Sequence, residues 1–182
     1  MPDDGWERQV LGFWFSELTP EQWYKKDDAV DATIVARFGA LHEAIAGTDN
    51  AELQESRDTA LAAIIVLDQF ARNMFRGSAK SFAGDAKARA LSNAALEAGF
   101  DAEMNASEKQ FLYMPFMHSE TLADQNRSVA LFEALGNENN LKYARMHRDP
   151  IRLFGQFPHR NAVLGRPTSP AEQAWIDEHG GF

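Results

Sequence analysis

Residues Ala60 to Leu67 read ALAAIIVL, eight apolar side chains without interruption. A helix with no polar face has to be covered on every side, so this stretch predicts a central element with other helices wrapped around it. Eight residues are far too few to span a bilayer. The run then turns polar within one turn, giving Asp68, Gln69, Arg72, Asn73 and Arg76. Asp68 and Arg72 are four apart, as are Gln69 and Asn73, so each pair shares one helix face. A buried helix that ends in such a cluster either opens a pocket or seals the core with an internal Asp–Arg network.

The rest of the chain supports a helical surround. There is no sustained alternation of apolar and polar residues and no Asn-Gly or Asp-Gly hairpin turn. Helices are expected near 4–17, 20–25, 28–47, 56–76, 84–99, 107–118, 120–136, 138–154 and 170–178. Thr19-Pro20-Glu21-Gln22, Ser107-Glu108-Lys109-Gln110 and Ser169-Pro170-Ala171-Glu172 place an oxygen-bearing side chain ahead of the first turn and an acid or amide three residues later. Gly47, Gly77, Gly99 and Gly136 follow expected helix ends. Pro150 should kink or restart its helix, and Pro115 should disturb the one before His118. Short connections between antiparallel helices give stacked hairpins or a compact bundle. A sharp 34-residue repeat is missing, so a tandem tetratricopeptide pattern is at best degenerate. With 182 residues and no change of composition, residues 1–182 read as one all-α domain.

Charge and composition narrow the function. No cysteine is present, which excludes disulfides and thiol nucleophiles. Met1 to Arg8 lacks a signal-peptide pattern, so a cytoplasmic, non-membrane protein is expected. The net charge of -9 argues against nucleic-acid binding. Yet Leu141 to Arg166 holds Lys142, Arg145, Arg148, Arg152, Arg160 and Arg166 against Asp149 alone. A local basic patch on an acidic chain suits capture of a small anion, unless carboxylates elsewhere in the fold pair with those arginines.

Two segments resemble each other, DQFARNMFRG at 68–77 and GQFPHRNAVLGR at 155–166. Each sets Gln-Phe, then Arg-Asn, then a further Arg beside Gly in an apolar context. Arginine presents a planar fork that grips carboxylate or phosphate through two hydrogen bonds. Arg72, Asn73, Arg76, Arg148, Arg160 and Asn161 are therefore the candidate ligand-binding residues, if the two segments converge on one hollow. Candidate acid–base groups are His118, His147 and Glu120, with Asp68 to steer an imidazole or an arginine. His118 and Ser119 could equally start the helix at 120–136. Ser119 lacks the G-x-S-x-G surroundings of a serine nucleophile. His118, Glu120, His147, Asp149 and His159 have ligand chemistry but not the spacing of a metal motif, so no metal is assigned. No Gly-rich phosphate loop exists, and no cofactor is assigned. Trp6, Val10, Phe13 and Trp14 form a helical stripe that serves as core or as a cover for the pocket.

The strings LDQFARNMFRG, FLYMPFMHSE, ADQNRSVALFEALG and HRDPIRLFGQFPHRNAVLGR resemble the signature segments of the domain-of-unknown-function 924 family, which is mainly bacterial. The resemblance runs from about Val10 to Phe182. It implies an all-helical fold similar to the right-handed tetratricopeptide-like superhelix, and it implies no activity. Three readings remain open: a pocket for a small anionic molecule, with or without catalysis; a scaffold whose concave face grips a peptide carboxylate; and internal arginine–carboxylate networks that only fix the fold. The sequence admits a homodimer.

Overall fold

The computed structural model describes residues 5–181, and within them every regular element is helical. The α-helices are α1 (Trp6–Gly12), α2 (Asp28–Gly47), α3 (Arg57–Ile64), α4 (Ala71–Met74), α5 (Asp85–Glu97), α6 (Ala106–Met117), α7 (Leu122–Leu135), α8 (Glu138–Phe154), α9 (Asn161–Leu164) and α10 (Pro170–His179). Single 3-10 turns fill the links at Glu52–Gln54, Ala79–Phe82, Phe100–Glu103 and Pro158–Arg160. The expected first helix begins at residue 4, outside the described residues.

The apolar run behaves as its composition requires. Every residue from Ala60 to Ala71 is buried. α3 and α4 are one rod, joined by a π-helical turn over Ile65–Phe70. Such a wider turn rotates the residues that follow it and recurs at functional sites; here it carries Asp68 and Gln69. α1, α2, α5 and α6 pack around the rod, α6 continues onto α7, and α7 onto α8. Phe13, Trp14, Phe38, Phe70 and Phe111 meet in the core, with Phe38 and Phe70 ring centres 4.9 Å apart and Trp14 and Phe111 at 5.3 Å. Each such side chain, fully buried, contributes on the order of 2 kcal/mol.

Several local expectations shift in the fold. Ser169 and Glu172 form a reciprocal capping box at α10. At α6 the cap is Asn105 rather than Ser107, again closed by Glu108. Asn105 wins because its side-chain oxygen accepts from both Ser107 and Glu108 amides, at 2.9 and 3.1 Å. Residues 20–25 make turns, not a helix, and Trp23 is tied down instead by its Nε1 donating to the Trp14 carbonyl at 2.8 Å. α8 runs through Pro150 and α6 through Pro115; both prolines are buried, so their packing offsets one missing ladder bond in each helix. His118 closes α6, and α7 starts only after Thr121.

One close approach sets up the site. A Cβ placed on Gly84 would lie 2.7 Å from the Leu67 carbonyl oxygen. Only glycine lets the start of α5 come this near the central rod. Asp85, the next residue, is thereby carried in beside Arg72.

Candidate functional site

A cleft of about 650 Å³ opens between the polar end of the central rod, the end of α6, α8 and the segment after it. Arg72, Asn73 and Arg76 line it from the first look-alike segment, and His159 and Arg160 from the second. The two segments, nearly ninety positions apart, thus share one hollow. His118 and His147 line it as well.

Asp85 binds the two segments together. It accepts from Arg72 Nη1 at 2.9 Å and Nη2 at 3.1 Å, and from Arg160 Nη1 at 3.3 Å. Arg160 is also held between rings, its guanidinium carbon 4.3 Å from the Phe82 ring centre and 4.4 Å from that of Phe157. Its Nη2 donates to the His118 carbonyl at 3.2 Å, while its buried Nε has no acceptor among the described residues. Burial and the neighbouring Arg72 charge push the Arg160 guanidinium down to about 10, where it still stays charged at neutral pH.

Asp68 sits directly behind the cleft wall, wholly buried. It accepts from Gln69 Nε2 at 2.6 Å and from Arg72 Nη1 at 3.0 Å, and pairs with His118 Nδ1 at 2.7 Å. Burial alone would raise its carboxyl, but the charge of Arg72 and the hydrogen bonds outweigh it and hold the group well below the usual carboxylate range. An ionised Asp68 can only accept, so Nδ1 of His118 carries the proton and Nε2 keeps its lone pair. Burial, and next the Arg72 charge, push the His118 imidazole down, against the pull of Asp68. His118 is accordingly a neutral imidazole, oriented by a buried carboxylate, at a cleft wall. This is the arrangement of a general base.

His147 has a similar frame. Its Nδ1 lies 2.8 Å from the Tyr143 carbonyl, which accepts only, and burial pushes the imidazole down to about 3. Its ring centre is 5.9 Å from that of His118. His159 is pushed down to about 4, by burial and then by Arg160.

Other expected site residues lie elsewhere. Glu120 is outside the cleft lining; it takes two bonds from Arg166, at 2.7 and 2.9 Å, and one from the Phe157 amide at 2.7 Å. Asn161 is fully buried, donating to Glu172 at 3.2 Å and accepting from Arg166 Nε at 3.0 Å. Their hydrogen-bonding capacity folds the 155–172 segment. Arg148 also stands outside the lining. Asn73 and Arg76 do line the cleft but are tied to Asp31, at 2.7 Å and 2.9 Å. No cluster of three or more metal-ligating side chains exists among the described residues.

Sequence reading did not find Asp85, Phe82, Asp31 or Asn140. Asp85 is thirteen positions from Arg72 and seventy-five from Arg160, and no local spacing pairs it with either. The only local sign was the glycine before it.

No helix among the described residues is long and apolar enough to cross a membrane. The family model described as a bacterial protein of unknown function, DUF924, matches residues 10–180. Among curated proteins none matches. The solved structure of a protein of unknown function, ATU0120, from Agrobacterium tumefaciens is similar to this chain at 36% identity. It superposes with a TM-score of 0.90 and covers 95% of this chain and 97% of its own.

Proposed function

We propose a small-molecule function for this chain, which belongs to the DUF924 family of bacterial proteins of unknown function: the cleft binds a small organic anion, and His118 acts there as a general base. The observation that carries this reading is the composition of the wall. Lys25, Arg72, Arg76 and Arg160 face the cleft, and among the described residues no carboxylate does, in a chain of net charge -9. Asp68 and Asp85 stand behind the arginines, orienting them and His118 rather than meeting a ligand. Arg72 and Arg160 bind the anion, Asn73 and Arg76 frame its entry, and His147 takes part in proton transfer beside His118.

The rival reading makes the cluster a lock between helices. It is favoured by the aspartate partners of Arg72, Arg76 and Arg160. The two readings part on ligand response. Thermal unfolding is followed against a panel of small organic acids at millimolar concentration. Binding at a hundred times Kd stabilises by about 2.7 kcal/mol, which moves the midpoint by several degrees. The expected result is a rise for the wild type, which Arg160→Lys reduces and His118→Gln keeps, with any turnover lost in the latter. A flat response across the whole panel sinks the ligand reading and leaves the lock.

The neighbour order α6–α7–α8 supports a stack of antiparallel hairpins, which we read as tetratricopeptide-like. The composition supports a cytoplasmic setting. On the peptide-scaffold alternative, the same arginines would grip a peptide carboxylate; the half-enclosed cleft favours a small molecule instead.

A further inference from the structure

The net charge of the cleft and the chemistry of its other wall narrow the ligand further, on the reading that the cleft is a small-anion site. Arg72 and Arg160 are balanced by Asp68 and Asp85. Arg76 is balanced by Asp31. His118, His147 and His159 are all pushed down, so they add no charge at neutral pH. Lys25, an exposed residue of the lining, is the lysine or arginine there without a salt bridge among the described residues. The site therefore offers directed N–H donors with a net charge near a single positive unit. A ligand with two or more negative charges would bring uncompensated charge into a half-enclosed space, which is costly.

The donors themselves select a planar head. The Arg160 guanidinium carbon sits over the Phe82 and Phe157 rings and its Nε is buried, so the donors open to a ligand are the N–H groups of its terminal nitrogens. Each terminal nitrogen there has one N–H engaged, to Asp85 and to the His118 carbonyl, and one remaining. An in-plane pair of donors matches a carboxylate.

Much of the remaining lining is apolar: Trp23, Met114, Met117, Phe132 and Met146 are interspersed with Gln69, Asn139, Asn140 and Tyr143. Polar metabolites would leave this surface unused. The three methionines are unbranched and soft, so they adapt to ligand bodies of different shape.

We propose that the ligand is a hydrophobic monocarboxylate, an alkyl or arylalkyl acid with its carboxylate at Arg160 and Arg72 beside His118 and its body on the methionine and aromatic wall. Selectivity is strict for charge and loose for body shape.

The test is calorimetric titration of the full chain at pH 7.5 with octanoate, 3-phenylpropanoate, 1-octanol, hexanedioate and ATP. Octanoate and 3-phenylpropanoate are expected to bind with similar affinity, at least tenfold tighter than the other three. Met146→Glu, at a partly exposed rim position, is expected to weaken octanoate at least tenfold, and Arg160→Gln to bring it down to the level of 1-octanol. Tighter binding of hexanedioate or ATP overturns the monocarboxylate assignment while the anion site itself stands. Equal binding of octanol and octanoate, or indifference to both variants, overturns the placement of the carboxylate. Failure of all five probes overturns this proposal and the anion-site reading together.

Discussion

Replacing Asp85 by Asn tests whether the two look-alike segments are joined electrostatically. The substitution keeps size and removes one negative charge that three N–H donors share, from Arg72 at 2.9 and 3.1 Å and from Arg160 at 3.3 Å. Breaking a buried pair by deleting one partner costs about 3–5 kcal/mol. Arg72 keeps Asp68 at 3.0 Å, so its share of the loss is partial. Arg160, only 6% exposed, has no second carboxylate within salt-bridge distance, and it is left beside the Arg72 charge. The lower end, about 3 kcal/mol, is the expected loss. In a chain of this size each kcal/mol moves the unfolding midpoint by about 2–4 °C, giving a fall of roughly 6–12 °C. Urea and thermal unfolding of Asp85→Asn, Arg160→Met and the double variant measure it. Removing both partners should recover at least half of the Asp85→Asn loss, because the stranded cation is gone. A change below about 1 kcal/mol in Asp85→Asn, or simple additivity in the double variant, would refute the argument that Asp85 bridges a buried cluster.

His147 is held near 3 in the fold and regains its ordinary value of 6.5 when unfolded; protons then favour the unfolded chain as pH falls below 6.5. Between pH 7.5 and 5.5 the wild type should lose about 1.4 kcal/mol on this account, with His118 and His159 adding in the same direction. Urea titrations at the two pH values should show a flatter response in His147→Gln, and an unchanged slope in that variant contradicts the assignment. Gly84→Ala brings a methyl within 2.7 Å of the Leu67 carbonyl oxygen, so a loss of about 1–3 kcal/mol in chemical denaturation is expected. Ser169→Ala removes the α10 cap, whose oxygen accepts from the Glu172 amide at 3.3 Å, and should cost about 1 kcal/mol. Because Glu172 also holds Gln156 and Asn161, fraying there should show as faster amide exchange across 155–172.

Much of the molecule could be read along the chain. Helicity, the buried central run and the cap at Ser169 rest on interactions within about four residues, which sequence displays directly. The Asp68–Arg72 pair is of this kind, since one helix turn brings its members together. Where local rules competed, the fold chose between them: Asn105 displaced Ser107 as a cap, and residues 20–25 form turns while the Trp23 indole bonds the Trp14 carbonyl.

The composition of the cleft depended on distance in space instead. The look-alike segments read almost the same, yet Asn73 faces the hollow while Asn161 is buried against Glu172 and Arg166. Glu120, next but one to His118, turns to Arg166. Asp85, which ties the site together, carries no mark of its own. Its position follows from how closely α5 can approach the rod at Gly84, and that approach is set by packing between elements far apart in sequence. Periodicity and capping therefore determined the helices and the place where polarity begins. Which polar groups face the cleft, and which are consumed in holding it, was decided only when the helices packed, because a buried hydrogen bond goes to whichever partner the tertiary contacts bring within reach.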